Sequence, residues 1–232
     1  SNYDCIIHLA AISRVGMAKK TPLKAIHANI TSTATLLEAI RVSENKPPMI
    51  FASSIEVNVD EQGAYGLSNL YGMTKSVGEL LSQRYSADYG MSIAVARIPG
   101  IYGTAYDYHD KVPNIFITKA LKGEKIRIPS QSKEMLYVHI DDMCQIMMES
   151  VEKVLNFQIP SYCVFEIKSR DTTTLKQLVC EILVLTRSKS SLDYFDAESD
   201  FPLRLSEIQV SPPHIGLKEG LLRLIKGLKA LN

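Results

Sequence analysis

The sequence predicts an α/β protein built on a parallel sheet that helices cover on both faces. Three observations predict it. The strand-like runs are apolar without alternating, as strands buried on both faces are. Helix-like stretches separate them, and the two kinds take turns through the first 100 residues, the order that a parallel sheet requires. At 232 residues, 46% hydrophobic and 22% charged, the chain is large enough to bury one sizeable core or two smaller ones.

Cys5-Ile6-Ile7-His8-Leu9 is the first strand, ending in the small pair Ala10-Ala11. Ile26, Ile30, Thr33, Leu36, Leu37 and Ile40 recur at spacings of three and four, which predicts a helix over 22–42. Met49-Ile50-Phe51-Ala52 is the next strand and runs into the polar turn Ser53-Ser54. Ser68 is placed to cap a helix over 69–89 that Gly90 stops. Ser92-Ile93-Ala94-Val95-Ala96 is a third strand. Beyond Gly103 the pattern loosens: 106–110 reads as a loop, 113–121 as a helix, 126–128 and 136–140 as strands, and 141–154 as a helix. A last apolar strand spans 162–167, with helices over 174–185 and 217–228. The polar, proline-bearing stretch 186–213 reads as a lid or a place where residues are missing.

Composition excludes several function classes. Twenty-six basic and 25 acidic residues give a net charge of +1, so nothing attracts nucleic acid or an anionic membrane. The longest apolar runs, such as Ile182–Leu185, are too short to span a bilayer, and a cytoplasmic location is expected. Cys5, Cys144, Cys163 and Cys180 lie apart with no CxxC pair and read as reduced, mostly buried thiols. The five histidines show no ligand spacing, and His8 and His139 read as satisfied core residues. Asp141-Asp142 suits a helix N-terminus, and the acidic cluster Asp193, Asp196, Glu198 and Asp200 a solvated loop. No metal site is expected.

Chemistry concentrates at Tyr71-Gly72-Met73-Thr74-Lys75. Residues four apart on a helix share a face. An ammonium beside a phenol favours the phenolate and brings its pKa toward neutrality, so the pair can take a proton from a substrate hydroxyl. Ser54 lies just past a strand end, where open parallel sheets gather ligand groups; its hydroxyl can orient the reacting oxygen. Small residues at Leu9-Ala10-Ala11 let a flat cofactor approach the backbone. Each signal alone is weak, since surface helices and turns carry such residues without function.

The run His8-Leu9-Ala10-Ala11, then Asn29 with Leu36-Leu37-Glu38-Ala39, then Phe51-Ala52-Ser53-Ser54, then Tyr71 and Lys75, then Arg97 with Ile101-Tyr102-Gly103, resembles the extended short-chain dehydrogenases/reductases of the NAD-dependent epimerase/dehydratase kind. Pro113 with Ile115, Ala120-Leu121 with Gly123, Val138 to Met143 and Leu217 with Glu219-Gly220-Leu221 extend it over nearly the whole chain. The resemblance implies a Rossmann-like doubly wound sheet over 1–103, with 162–167 returning to it, and a smaller α/β substrate-binding region over 104–232. It implies Ser54, Tyr71 and Lys75 as catalytic residues, and Leu9, Ala10, Ala11, Asn29, Tyr71, Lys75 and Pro99 as contacts to NAD or, alternatively, NADP. Ser54, Glu56, Tyr102 and His109 are the implied substrate side. A nucleotide-sugar substrate and a homodimer follow from the same likeness.

The chain departs from that family in three places. No GxGxxG or GxxGxxG turn occurs, and the first strand resembles the family's fourth, so about a quarter of a usual member is expected to be missing from the front. Met135 and Leu136 stand where many members carry arginine and aspartate, with Arg127 and Lys133 the nearby cations, and Gly100 stands where an asparagine is usual. Ser54 is followed by Ile55 and Glu56, so the acid of the 4,6-dehydratases is absent and dehydration is disfavoured. The expected activity is an isomerase or oxidoreductase, foremost an epimerase. A reductase of a non-nucleotide carbonyl and a non-catalytic dinucleotide sensor or scaffold are the rival expectations.

Overall fold

A computed structural model describes residues 3–59, 65–66, 69–130, 134–156, 160–196 and 214–230. In chain order its elements are β1 (Ile6–His8), α1 (Val15–Lys20), α2 (Pro22–Ile26), a π-helical turn (His27–Thr31), α3 (Ser32–Val42), β2 (Met49–Ser54), β3 (Asn58–Val59), β4 (Tyr65–Gly66), α4 (Leu70–Tyr89), β5 (Ile93–Ile98) and β6 (Gly100–Tyr102). There follow α5 (Asn114–Lys122), β7 (Ile126–Pro129), β8 (Glu134–His139), α6 (Ile140–Leu155), β9 (Tyr162–Glu166), β10 (Thr172–Thr174), α7 (Leu175–Thr186), β11 (Leu192–Phe195) and α8 (Leu217–Ala230).

The fold is α/β and Rossmann-like. β1, β2, β5 and β9 form one parallel sheet in that order. Every residue of β2 is buried, which explains its non-alternating sequence. Leu37 and Ile40 of α3 pack with Met49, Phe51, Ile93 and Val95, so one parity of β2 and β5 faces the helices. α4 is set close against β2, because a Cβ at Gly78 would collide with the Phe51 ring. Asn69 caps α4 by accepting from Gly72 N at 2.8 Å, and left-handed Gly90 (φ 65°) ends it. The cap expected at Ser68 lies outside the described residues.

The chain divides into two compact units. One holds Ser1–Ile98 and Met147–Ile167; the other holds Pro99–Ile146, Lys168–Ser199 and Ser211–Asn232. The division falls at Ile98/Pro99 rather than at 103, because Gly100–Tyr102 pairs with β8 and not with the four-stranded sheet. In the second unit β10, β8 and β6 form a mixed sheet, and β11 pairs parallel to β7. Its core joins Tyr102, Phe116, Ile117, Leu178, Ile182, Leu221 and Leu224.

Some expectations are corrected. α1 forms where no helix was predicted; it is short and lysine-ended, and buried Ala18 holds it in place. β11 occupies part of the stretch read as lid, while 197–213 lie outside the described residues. Cys144 and Cys180 are exposed and Cys5 and Cys163 half-buried, so the four free thiols are not core residues. Among the described residues no His, Cys, Asp and Glu side chains gather as a metal site, and no helix is long and apolar enough to cross a membrane.

Candidate active site

In the first unit, the carboxyl end of β2 meets the start of α4. Tyr71, 7% exposed, lies beside the Ser54 side chain, whose influence lowers the phenol's pKa. Ser54 Oγ also accepts from Glu56 N at 3.2 Å, which folds the chain back after the strand. One turn along α4, buried Lys75 donates from Nζ to Ala52 O at 2.7 Å, and its ammonium lies 5.1 Å from the centre of the Phe51 ring. Gly72 permits this approach: a Cβ there would strike the Glu56 carbonyl oxygen.

The electrostatics differ from the expected pairing of ammonium and phenol. Burial raises the Tyr71 pKa and the Glu56 carboxylate raises it further, while the Ser54 side chain works the other way. Lys75 is not among the groups that set it. Burial also pulls Lys75 down to about 8, against an opposing pull from Glu79. Asn69 Nδ2 holds Glu56 Oε2 at 2.8 Å, so the cap of α4 also fixes the carboxylate beside the tyrosine.

Asn29 lies at the centre of the π-helical turn, a distortion that often marks functional positions. Its amide accepts from Ile12 N at 2.7 Å and donates to Ile12 O at 3.1 Å and to Thr74 Oγ1 at 2.8 Å. Thr74 in turn donates to Tyr71 O at 2.8 Å. Asn29 thus ties the segment after β1 to the first turn of α4. Leu9 is 61% exposed, and Ala10 is exposed as well, so the backbone at the end of β1 is accessible. His8 is a satisfied core residue, its Nε2 2.9 Å from Thr33 Oγ1.

Other expected site residues belong to the second unit. Pro99 is buried at its start and His109 is exposed in the loop before α5. Tyr102 is 3% exposed within the core of that unit, its ring and hydroxyl pressed on Gly220. Gly100 replaces asparagine for a steric reason, since a Cβ would lie 2.8 Å from the Tyr137 ring. Met135 is half-buried under Tyr137, whose hydroxyl donates to its sulfur at 3.6 Å. Arg127 pairs with Asp193 at 3.2 Å and stacks on Phe195; Lys133 lies outside the described residues. His139 is buried, but its Nε2 has no hydrogen-bond partner among the described residues.

Sequence reasoning missed the buried group Ser53, Glu79, Arg97 and Glu166. The signal was present: Arg97 is a charge inside the apolar run 93–98, and a charge buried in a sheet must find a partner.

Comparison with known proteins places this geometry. The sequence pattern described as the NAD dependent epimerase/dehydratase family matches residues 1–162. The chain belongs to that family. Among curated relatives of this epimerase/dehydratase chain, the UDP-N-acetyl-alpha-D-glucosaminuronate decarboxylase of Bacillus cytotoxicus is 25% identical, over 93% of this chain and 69% of its own length. UDP-glucuronate 4-epimerase 4 of Arabidopsis thaliana is also 25% identical, over 94% of this chain and 54% of its own. The chain therefore spans between about half and two thirds of the length of these relatives. Among solved structures, the UDP-glucuronic acid 4-epimerase of Bacillus cereus in complex with UDP-glucuronic acid and NAD matches with a TM-score of 0.85 at 21% identity, over 99% of this chain and 76% of that one. At that identity the likeness establishes the fold.

Proposed function

We propose that this epimerase/dehydratase chain carries out NAD-dependent oxidoreduction at a hydroxyl-bearing carbon of a nucleotide sugar, foremost as an epimerase. The observation that carries the reading is the meeting of the end of a parallel strand with the start of α4, which sets Ser54 beside buried Tyr71, with the Lys75 ammonium held on Ala52 O one turn further along the same helix. The names of the relatives support the substrate class, and the Bacillus cereus complex supports the cofactor.

The residues present fit NAD. Lys75 offers three donors, and Ala52 O is its one hydrogen-bond acceptor among the described residues, a donor set suited to the paired hydroxyls of a ribose. The open backbone at Leu9, Ala10 and Ala11 suits a flat ligand, with Asn29 holding that segment in place; Pro99 is assigned to the cofactor side of the second unit. Bound NAD supplies a hydride acceptor and a positive charge on its nicotinamide ring.

Ser54 orients the substrate hydroxyl and Tyr71 exchanges its proton. Burial and Glu56 hold the phenol protonated, the form that returns a proton; a nearby cation favours the phenolate that removes one. Glu56 and His109 are assigned to the substrate side. A carbonyl reductase is the second reading, favoured by Met135 standing in place of the family's arginine. We also assign a homodimer: the packed helices α3 and α4 leave Val42, Leu80 and Tyr89 exposed.

The test is turnover of UDP-glucuronic acid and UDP-glucose with NAD by the purified protein, with product stereochemistry and NADH followed together. An epimerase gives the inverted sugar with no net NADH change. Turnover that survives Tyr71→Phe undiminished would sink the assignment, and net NADH consumption in a parallel assay with NADH and a non-nucleotide carbonyl compound would select the reductase.

A further inference from the structure

Residues 71, 75 and 79 stand one turn apart on α4, so they form one stripe. Three consecutive residues of β2 grip that stripe. Ser54 lies beside Tyr71, Ala52 O accepts from Lys75 at 2.7 Å, and Ser53 Oγ donates to Glu79 Oε1 at 2.5 Å. The first two grips belong to the proposed chemistry; the third has no assigned role.

Glu79 is 0% exposed. Arg97 grips it with two prongs, Nε to Oε1 at 3.0 Å and Nη2 to Oε2 at 2.8 Å, and turns Nη1 toward Glu166 Oε1 at 3.7 Å. Ser53, Arg97 and Glu166 are register partners across β2, β5 and β9, so they form one transverse row beneath α4. One guanidinium faces two carboxylates, and Lys75 stands one turn from Glu79 on the same helix. Such a cluster is a poor way to gain stability, because apolar side chains of the same volume hold a helix on a sheet equally well. Its cost points to a demand for charge at this place.

We infer that Glu79 is a positioning residue for the reactive face of α4: held by Ser53 and Arg97, it keeps the Lys75 ammonium in register with the end of β2. That this face is reactive rests on the function proposed above; the hold of Glu79 on Lys75 does not. The titratable and charged groups around Lys75, among the described residues, are His8 from β1 and Tyr71 and Glu79 from α4, with Arg97 on β5 and Glu166 on β9 behind Glu79. Burial first, and then the Lys75 charge, lower the His8 pKa. The Glu79 charge supports the Lys75 ammonium against burial.

The experiment is a side-chain titration of Lys75 by NMR in protein carrying 13C-labelled lysine, its signal assigned by its loss in Lys75→Arg. The wild type is expected to titrate near 8. Glu79→Gln lowers that midpoint by about one pH unit or more, and Glu166→Gln, which leaves Glu79 charged, lowers it less. The triple variant Glu79→Gln, Arg97→Met, Glu166→Gln removes the three facing charges together and shows the same fall if the single variant does not fold. A midpoint in either Glu79 variant that stays at the wild-type value overturns the inference. In the active protein, Glu79→Gln should move the alkaline limb of the turnover profile to lower pH and reduce kcat more than it changes KM. Absence of turnover in the wild type would count against the proposed function while the titration still decides the role of Glu79.

Discussion

Tyr71 in the first unit and Tyr102 in the second are both buried phenols with raised pKa, and their surroundings are opposite. Tyr71 lies beside the Ser54 side chain, which lowers its pKa, and the Glu56 carboxylate, which raises it. Tyr102 is packed among core side chains, its hydroxyl 3.5 Å from Leu217 O; burial raises its pKa, and Asp142, Asp171 and Glu219 add to the effect. Burial alone therefore does not distinguish a reactive tyrosine from a structural one. The distinction lies in what each phenol meets: a serine side chain at a strand end for Tyr71, a backbone carbonyl within the core for Tyr102. Conversion of each tyrosine to phenylalanine tests this directly. Tyr71→Phe is expected to lower kcat by about 10²–10⁴-fold with little change in unfolding temperature. Tyr102→Phe should leave turnover near wild type, and comparable losses from both would erase the contrast.

The next largest effect is pH-dependent. Lys75 titrates at 10.5 when unfolded and at about 8 when buried. Its folded-state pKa is depressed, so its contribution to stability is fully present above 10.5 and is lost as pH falls through about 8. At about 1.4 kcal/mol per pH unit the gap amounts to about 3 kcal/mol. Urea unfolding at pH 7.5 and pH 10 should show the wild type gaining stability relative to Lys75→Met as pH rises. Taking the difference between the two proteins removes the contribution of the tyrosines, which titrate in the same range. Parallel curves would mean that Lys75 is solvated like a surface lysine, and the contrast between the two units would lose its electrostatic half.

In the second unit the corresponding break is steric. Gly220→Ala places a methyl against the Tyr102 hydroxyl and ring, which overpacks a well-filled core and is expected to cost about 1–3 kcal/mol. Thermal unfolding measures it. Stability equal to wild type would show that α8 can move away from Tyr102.

These two regions also mark what the sequence made legible. Tyr71 and Lys75 at a spacing of four, Ser54 past a strand end and apolar runs without alternation are local signals, and each predicts its element directly. The packing of Tyr102 was not legible, because a strand-end aromatic looks the same in sequence whether or not it packs on Gly220, a residue more than 100 positions away in the chain. Glu79 and Arg97 were missed for a related reason: their pairing joins a helix to a strand that periodicity treats separately. α1 and β11 are too short, at six and four residues, to show a period, and their contacts, such as buried Ala18 and the pairing of β11 with β7, arise only once the tertiary structure forms.

The smallest effects concern the helix caps. Thr174 and Gln177 form a capping box at the start of α7, Oγ1 accepting from Gln177 N at 3.2 Å and Oε1 from Thr174 N at 2.8 Å. Asn69 caps α4 but also fixes Glu56 beside Tyr71. Replacing either by alanine removes a cap and should cost about 1 kcal/mol. Only Asn69→Ala also releases a carboxylate that holds the Tyr71 pKa up. Thr174→Ala should therefore lower the urea midpoint and leave the pH profile of turnover unchanged. Asn69→Ala should lower the midpoint by a similar amount and shift the limb that Tyr71 governs to lower pH, because a phenol relieved of a neighbouring negative charge ionises more readily. An unshifted limb in Asn69→Ala would show that Glu56 keeps its place without the cap, and that Asn69, like Thr174, serves the helix alone.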